Sequence, residues 1–141
     1  MKILLINGPN LNLLGKREID IYGNKTINDI ENLIKKKFNE KANITFYQSN
    51  NEGDIINYIQ KAYKDSYEAI IINAGAYTHT SIAILDALNI FNGKIIEIHI
   101  SNIYRRENFR HKSYISKRAD AIIIGLGIYG YLLAVDYLIN N

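Results

Sequence analysis

The sequence predicts a doubly wound α/β domain built on a five-stranded parallel sheet. Three observations carry that expectation. Short β-branched runs alternate with stretches of helical period, the pattern of βαβ units. The inner runs are apolar at successive positions, as in strands covered on both faces. Polar and glycine-containing segments follow the strands at their carboxyl ends, where such sheets place their ligands. With 141 residues the chain falls within the ~100–200 of one domain, and no internal repeat, low-complexity segment or linker divides it.

Lys2 to Ile6 reads as the first strand. Thr26 to Phe38 reads as a helix, with Ile27, Ile30, Leu33, Ile34 and Phe38 at i, i+3, i+4 spacing and Thr26 placed to cap it. Ile44 to Gln48 is the second strand, and Glu52 to Tyr63 the second helix, its apolar face formed by Ile55, Ile56, Ile59 and Tyr63. Ala69 to Ile72 is the third strand, Ser81 to Leu88 the third helix, Lys94 to Ile98 the fourth strand and Ala121 to Ile124 the fifth. Ile128 to Ile139 closes the chain as a helix. This order is that of a flavodoxin-like sheet. Two connections, Gly8 to Lys25 and His99 to Ala119, exceed the ~2–6 residues usual between strand and helix and call for a functional explanation.

Composition narrows the function classes. Seventeen basic against 14 acidic residues leave a net charge of +3, too little for a nucleic-acid footprint, which needs clustered cations on one face. The longest basic run, Lys35-Lys36-Lys37, falls on a predicted helix exterior and reads as a solvated face. Zero cysteines exclude disulfides, thiolate catalysis and cysteine metal sites. The apolar run Ile3 to Ile6 is too short for a secretory core, and no stretch approaches the ~18 residues of a membrane span. A cytoplasmic protein without nucleic-acid or membrane partners is expected.

Arginine is the first pointer to chemistry. The chain prefers lysine, yet its five arginines, at 17, 105, 106, 110 and 118, all fall in the two long loops. Guanidinium replaces ammonium where an oxyanion must be held in a planar geometry, so a small anion, most simply a carboxylate, is the expected ligand. The three histidines, His79, His99 and His111, also lie at strand ends or in loops, and His99 alternates with Glu97 at the edge of the fourth strand. A zinc site is not expected, since no H-E-x-x-H spacing is present. Gly125 to Gly130 matches G-x-G-x-x-G, but it follows the last strand and lacks the acidic residue ~20 positions on. A tight turn and close helix packing explain it better than a dinucleotide.

Taken together, these segments resemble the type II 3-dehydroquinate dehydratase family. The resemblance rests on Asn7-Gly8-Pro9-Asn10-Leu11-Asn12-Leu13-Leu14-Gly15 continuing through Arg17-Glu18 to Tyr22-Gly23, then Asn73 to Ser81, Glu97 to Asn102, Arg106 to Arg110, and Gly125-Leu126-Gly127. It spans Ile3 to about Tyr137. The chain departs at Ile19, where the family commonly has proline, and at Tyr104-Arg105 in place of the commoner His-Ala. Neither change removes a catalytic group.

The resemblance implies one catalytic domain over residues 1–141, with a lid at about 14–22, that dehydrates 3-dehydroquinate to 3-dehydroshikimate, a step of the shikimate route to chorismate and in some organisms of quinate breakdown. It implies an anti elimination through an enolate, without cofactor, metal or Schiff base. Tyr22 matches the base and His99 the general acid, with Glu97 orienting its ring. Asn10 matches the residue that steadies the enolate, and Arg17 the lid cation. Asn73, His79, Ile100, Ser101, Arg106 and Arg110 match the substrate-binding set, and Asp86 a residue lent by a neighbouring subunit. A homododecamer of trimers is implied as well. A free phenol keeps its proton near neutrality, so a tyrosine base needs a cation beside its oxygen. One guanidinium at ~4 Å and an effective dielectric of ~20 supplies about 4 kcal/mol, which gives the loop arginines a purpose. A flavodoxin-like electron carrier or nucleotide binder would use the same fold but would be coloured or retain nucleotide. A dead relative would lack Tyr22 or His99, and both are present.

Overall fold

Strict alternation of side chains explains how one apolar run serves two cores. In the computed structural model, which describes residues 1–141, β1 (Lys2–Asn7) sends Ile3 and Leu5 to one face and Leu4 and Ile6 to the other. The first face is covered by α2 (Ile27–Phe38) through Ile30, Ile34 and Phe38, and by α5 (Tyr129–Asn140) through Tyr131, Ala134, Val135 and Leu138. The second is covered by α3 (Glu52–Lys64) through Ile55 and Ile59, and by α4 (Ile82–Ile90) through Ile84 and Leu88. Each fully buried isoleucine contributes roughly 1.5–3 kcal/mol, so this double layer carries most of the stability.

The remaining strands are β2 (Asn43–Gln48), β3 (Ala69–Asn73), β4 (Lys94–His99) and β5 (Ala121–Ile124). All pair in parallel, in the order β2-β1-β3-β4-β5. The expected flavodoxin-like, doubly wound five-stranded sheet is present as one domain. Its order reverses between β1 and β3, and there Asn7 and Asn73 stand in register as the last residues of the two strands. That reversal opens the crevice used by ligands in such sheets.

Local chemistry sets the element boundaries. Thr26 caps α2 by a capping box: its Oγ1 accepts from the Asp29 amide at 3.2 Å, while its own amide donates to Asp29 Oδ2 at 2.8 Å. Ser81 Oγ likewise accepts from the Ile84 amide at 2.9 Å, so the helix expected from Ser81 starts at Ile82. At Gly130 a Cβ would lie 3.2 Å from the Ile123 side chain, which confirms close helix–sheet packing as the reason for that glycine. Two positions expected on apolar faces, Leu33 and Tyr63, are exposed, because the buried stripe of each helix is narrower than its apolar spacing. The segment between Leu14 and Tyr22 is not wholly loop: Ile19–Tyr22 forms a one-turn helix, α1. No helix is long and apolar enough to cross a membrane.

Candidate active site

The carboxyl ends of β1, β3 and β4 and the two long loops enclose a cavity of about 180 Å³. The first loop brings Asn10, Arg17 and Tyr22 to its wall; β3 and the turn after it bring Asn73 and His79. The end of β4 and the second loop bring His99, Ile100, Ser101, Arg106 and Arg110. Ten of the twelve residues expected at the site therefore line one cavity. Its lining contains three arginines and no lysine.

Tyr22 is the last residue of α1 and is half-buried. Arg106 Nη1 donates to its hydroxyl at 2.5 Å and reaches Ser101 Oγ at 3.4 Å. The Arg106 guanidinium carbon lies 5.1 Å from the centre of the ring and that of Arg17 lies 5.2 Å from it. Arg17 also pairs with its neighbour Glu18 at 3.3 Å. Glu18 adopts the left-handed conformation (φ 42°), which costs a non-glycine residue about 1–2 kcal/mol. This turn starts α1. Asn10 holds the same backbone region (φ 68°), which asparagine tolerates, and its backbone N–H donates to Asn50 Oδ1 at 3.0 Å.

His99, the last residue of β4, lines the same cavity. Its Nε2–H donates to Glu97 Oε1 at 2.6 Å, which leaves Nδ1 for a ligand. Glu97 is 1% exposed and takes two further hydrogen bonds: Ser113 Oγ donates to Oε1 at 2.6 Å, and Ser116 Oγ donates to Oε2. Burial alone would push the Glu97 carboxyl up, but these three donors together outweigh it and hold the group below the usual glutamate value. Glu97 is thus a fixed anion behind the imidazole. His79 Nδ1–H donates to the Lys112 carbonyl at 2.7 Å, leaving Nε2 as an acceptor. Burial lowers the His79 imidazole against the pull of that carbonyl, with repulsion from His99 and Arg110 adding to the fall. The two imidazole rings stack with centroids 6.4 Å apart.

Two expected residues lie outside the cavity lining. Glu97 stands behind His99, as an orienting group should. Asp86 is on the exposed side of α4, in line with exposed Ile82 and Ile90 one turn to either side. The expectation that all five arginines serve an anion is too broad. Arg118 donates to the carbonyls of Phe91 (2.8 Å) and Gly93 (3.1 Å) and pairs with Asp120 at 3.3 Å. It ties the α4–β4 connection and is structural. Sequence reasoning missed Ser113, Ser116 and Asn50, since a loop serine or asparagine gives no local sign of a partner 16 to 40 residues away.

A doubly wound sheet that gathers guanidinium groups, imidazoles and a phenol at its switch point defines an enzyme-type site for a small polar anion. Comparison with known proteins makes this specific. Residues 1–139 match the family model described as dehydroquinase class II. A 3-dehydroquinate dehydratase of Clostridium botulinum strain Hall is 53% identical over 140 residues, covering 99% of this chain and 95% of that protein. A catabolic 3-dehydroquinase of Debaryomyces hansenii is 54% identical over 141 residues, covering 99% and 98%. The crystal structure of a type II dehydroquinase from Butyrivibrio crossotus superposes with a TM-score of 0.95 at 48% identity, covering 100% of this chain and 98% of that one. The chain belongs to the class II dehydroquinase family.

Proposed function

We propose that this enzyme removes water from 3-dehydroquinate to give 3-dehydroshikimate, as a lyase of the shikimate pathway. One observation carries the reading: the Tyr22 hydroxyl, gripped by Arg106 beneath Arg17, and the Glu97-backed His99 share one small cavity.

The chemistry follows from what each group can do. Tyr22, as its anion, takes the proton alpha to the ketone and leaves an enolate. Asn10, a neutral donor needing no titration, steadies the enolate oxygen. As the enolate collapses to the enone, His99 passes its Nδ1 proton to the departing hydroxyl, which leaves as water. Moving the proton from Tyr22 back to His99 through solvent resets the pair. Neutral His79 accepts from a ring hydroxyl through Nε2. Asn73, Ser101 and the Ile100 amide hold the remaining polar groups, with Arg106 and Arg110 supplying cationic donors. Residues 14 to 22 act as a lid: Leu14 is anchored in the core, whereas Ile19 and Ile21 are exposed and offer an apolar cover.

The proposal includes a homododecamer of trimers in the cytoplasm. The stripe Ile82, Asp86, Ile90 on α4 supports an intersubunit face, with Asp86 serving a neighbouring subunit.

The test is to add 3-dehydroquinate to the purified protein and follow the ultraviolet absorbance of the conjugated enone. Absorbance should rise without added cofactor. Borohydride with substrate should trap no adduct, since no lysine lines the cavity. A flat trace, or a lysine carrying the mass of reduced product, overturns the reading.

A further inference from the structure

We propose that Tyr131, outside the cavity on α5, is a positioning residue: its hydroxyl joins Asn7 to Asn73 and so presents Asn73 to the substrate as a hydrogen-bond donor. The proposal rests on the reading of Asn73 as a substrate-binding residue.

The direction of every hydrogen bond follows from one fixed end. The Gly75 backbone amide can only donate, and it meets Asn73 Oδ1 at 3.2 Å. That contact sets which way the Asn73 amide faces, so Nδ2 is the atom 2.8 Å from the Tyr131 hydroxyl, and it donates there. The Tyr131 oxygen is then the acceptor, and its own proton must go elsewhere. It goes to Asn7 Oδ1, 2.7 Å away. All three side chains are buried, Tyr131 completely, Asn7 at 2% and Asn73 at 4% exposure. Burial also pushes the phenol up, so its proton stays in place. A buried chain of this kind has one low-energy arrangement, since reversing any member leaves a donor facing a donor.

The consequence for the site is specific. Asn7 and Asn73 are the register partners that end β1 and β3 at the switch point, and Asn73 lies on the cavity wall whereas Tyr131 does not. With Oδ1 turned to the Gly75 amide and one Nδ2 hydrogen given to Tyr131, the donor Asn73 has left to offer is its second N–H. The side-chain amide torsion of asparagine is broad and roughly two-fold. Tyr131 converts that soft torsion into a single donor aimed from the sheet.

The experiment is a cycle of Tyr131→Phe, Asn73→Ala and the double variant, with KM, kcat and the thermal midpoint measured on 3-dehydroquinate. Wild-type turnover tests the functional reading independently. Loss of uniform binding raises KM while kcat holds. Tyr131→Phe should raise KM by about 10-fold, the scale of one lost hydrogen bond. Asn73→Ala should raise it at least as much, and the double variant no further than Asn73→Ala alone. A normal KM in Tyr131→Phe beside a raised KM in Asn73→Ala would overturn the relay and leave the reading of Asn73 standing, even if the thermal midpoint falls. A normal KM in Asn73→Ala overturns that reading and the relay with it. Should Tyr131→Phe not fold, Asn7→Ala keeps the phenol but frees its proton; a raised KM supports the relay and an unchanged KM overturns it.

Discussion

Arg106 Nη1 donates to the Tyr22 hydroxyl at 2.5 Å, across 84 residues of sequence. It is the direct contact between a guanidinium and the phenol oxygen, whereas Arg17 sits against the ring and shares its charge with Glu18. The two arginines therefore act differently on one group. Arg106 is largely buried and fixed; Arg17 rides on an exposed segment.

Arg106→Ala should lower kcat by ~10²-fold or more, the cost of removing a directed donor from a developing charge. Arg17→Ala should also lower kcat more than it raises KM, because Arg106 and Arg110 remain for ground-state binding. Arg17→Lys should rescue poorly, since a point charge cannot reproduce the planar fork. Steady-state kinetics decide this: a raised KM with intact kcat in Arg17→Ala would make that residue an anchor only.

Ser113 and Ser116 keep Glu97 ionised behind His99. Replacing Ser116 by alanine removes a donor to a buried carboxylate, so the Glu97 value rises. On the acid side, kcat should then be lost at a higher pH than in the wild-type enzyme, the direction set by removing a donor from a charged group. Ser113→Ala should act in the same direction. A profile that does not move in either variant would show that the serines only pack the loop.

How much of this was legible in the sequence depends on distance along the chain. The five strands could be read because each is a local run of isoleucine and its neighbours, and Thr26 because its capping partner is three residues away. Tyr22, His99 and the arginines stood out through contiguous motifs at strand ends. The one-turn helix at Ile19–Tyr22 could not be read, since four residues carry no period. Arg118 was misread because a guanidinium bound to carbonyls looks the same in sequence as one awaiting an anion. The Ser113–Glu97 and Tyr131–Asn7 contacts span 16 and 124 residues and exist only once β4 and α5 are docked.

Acid should destabilise the fold in two stages. Both His79 and Glu97 sit below their ordinary values, 6.5 and 4.5, so in each case the unfolded chain takes up its proton first as pH falls. Stability is fully present above pH 6.5, begins to fall below it through His79, and falls further below 4.5 through Glu97. Thermal unfolding followed from pH 8 to 4 should show a declining midpoint, and Glu97→Gln should flatten the lower stage. A midpoint that rises on acidification over this range would contradict the assignment.

With Tyr22 proposed as the base, Tyr22→Phe is the sharpest test, because it preserves the ring and removes the oxygen held by Arg106. Turnover of 3-dehydroquinate by this variant, measured beside its binding of the same compound by calorimetry, is the decisive pair. The expected result is a folded protein that still binds substrate while kcat drops by ~10²-fold or more. A Tyr22→Phe enzyme with near-normal kcat would contradict it and place the base elsewhere in the cavity.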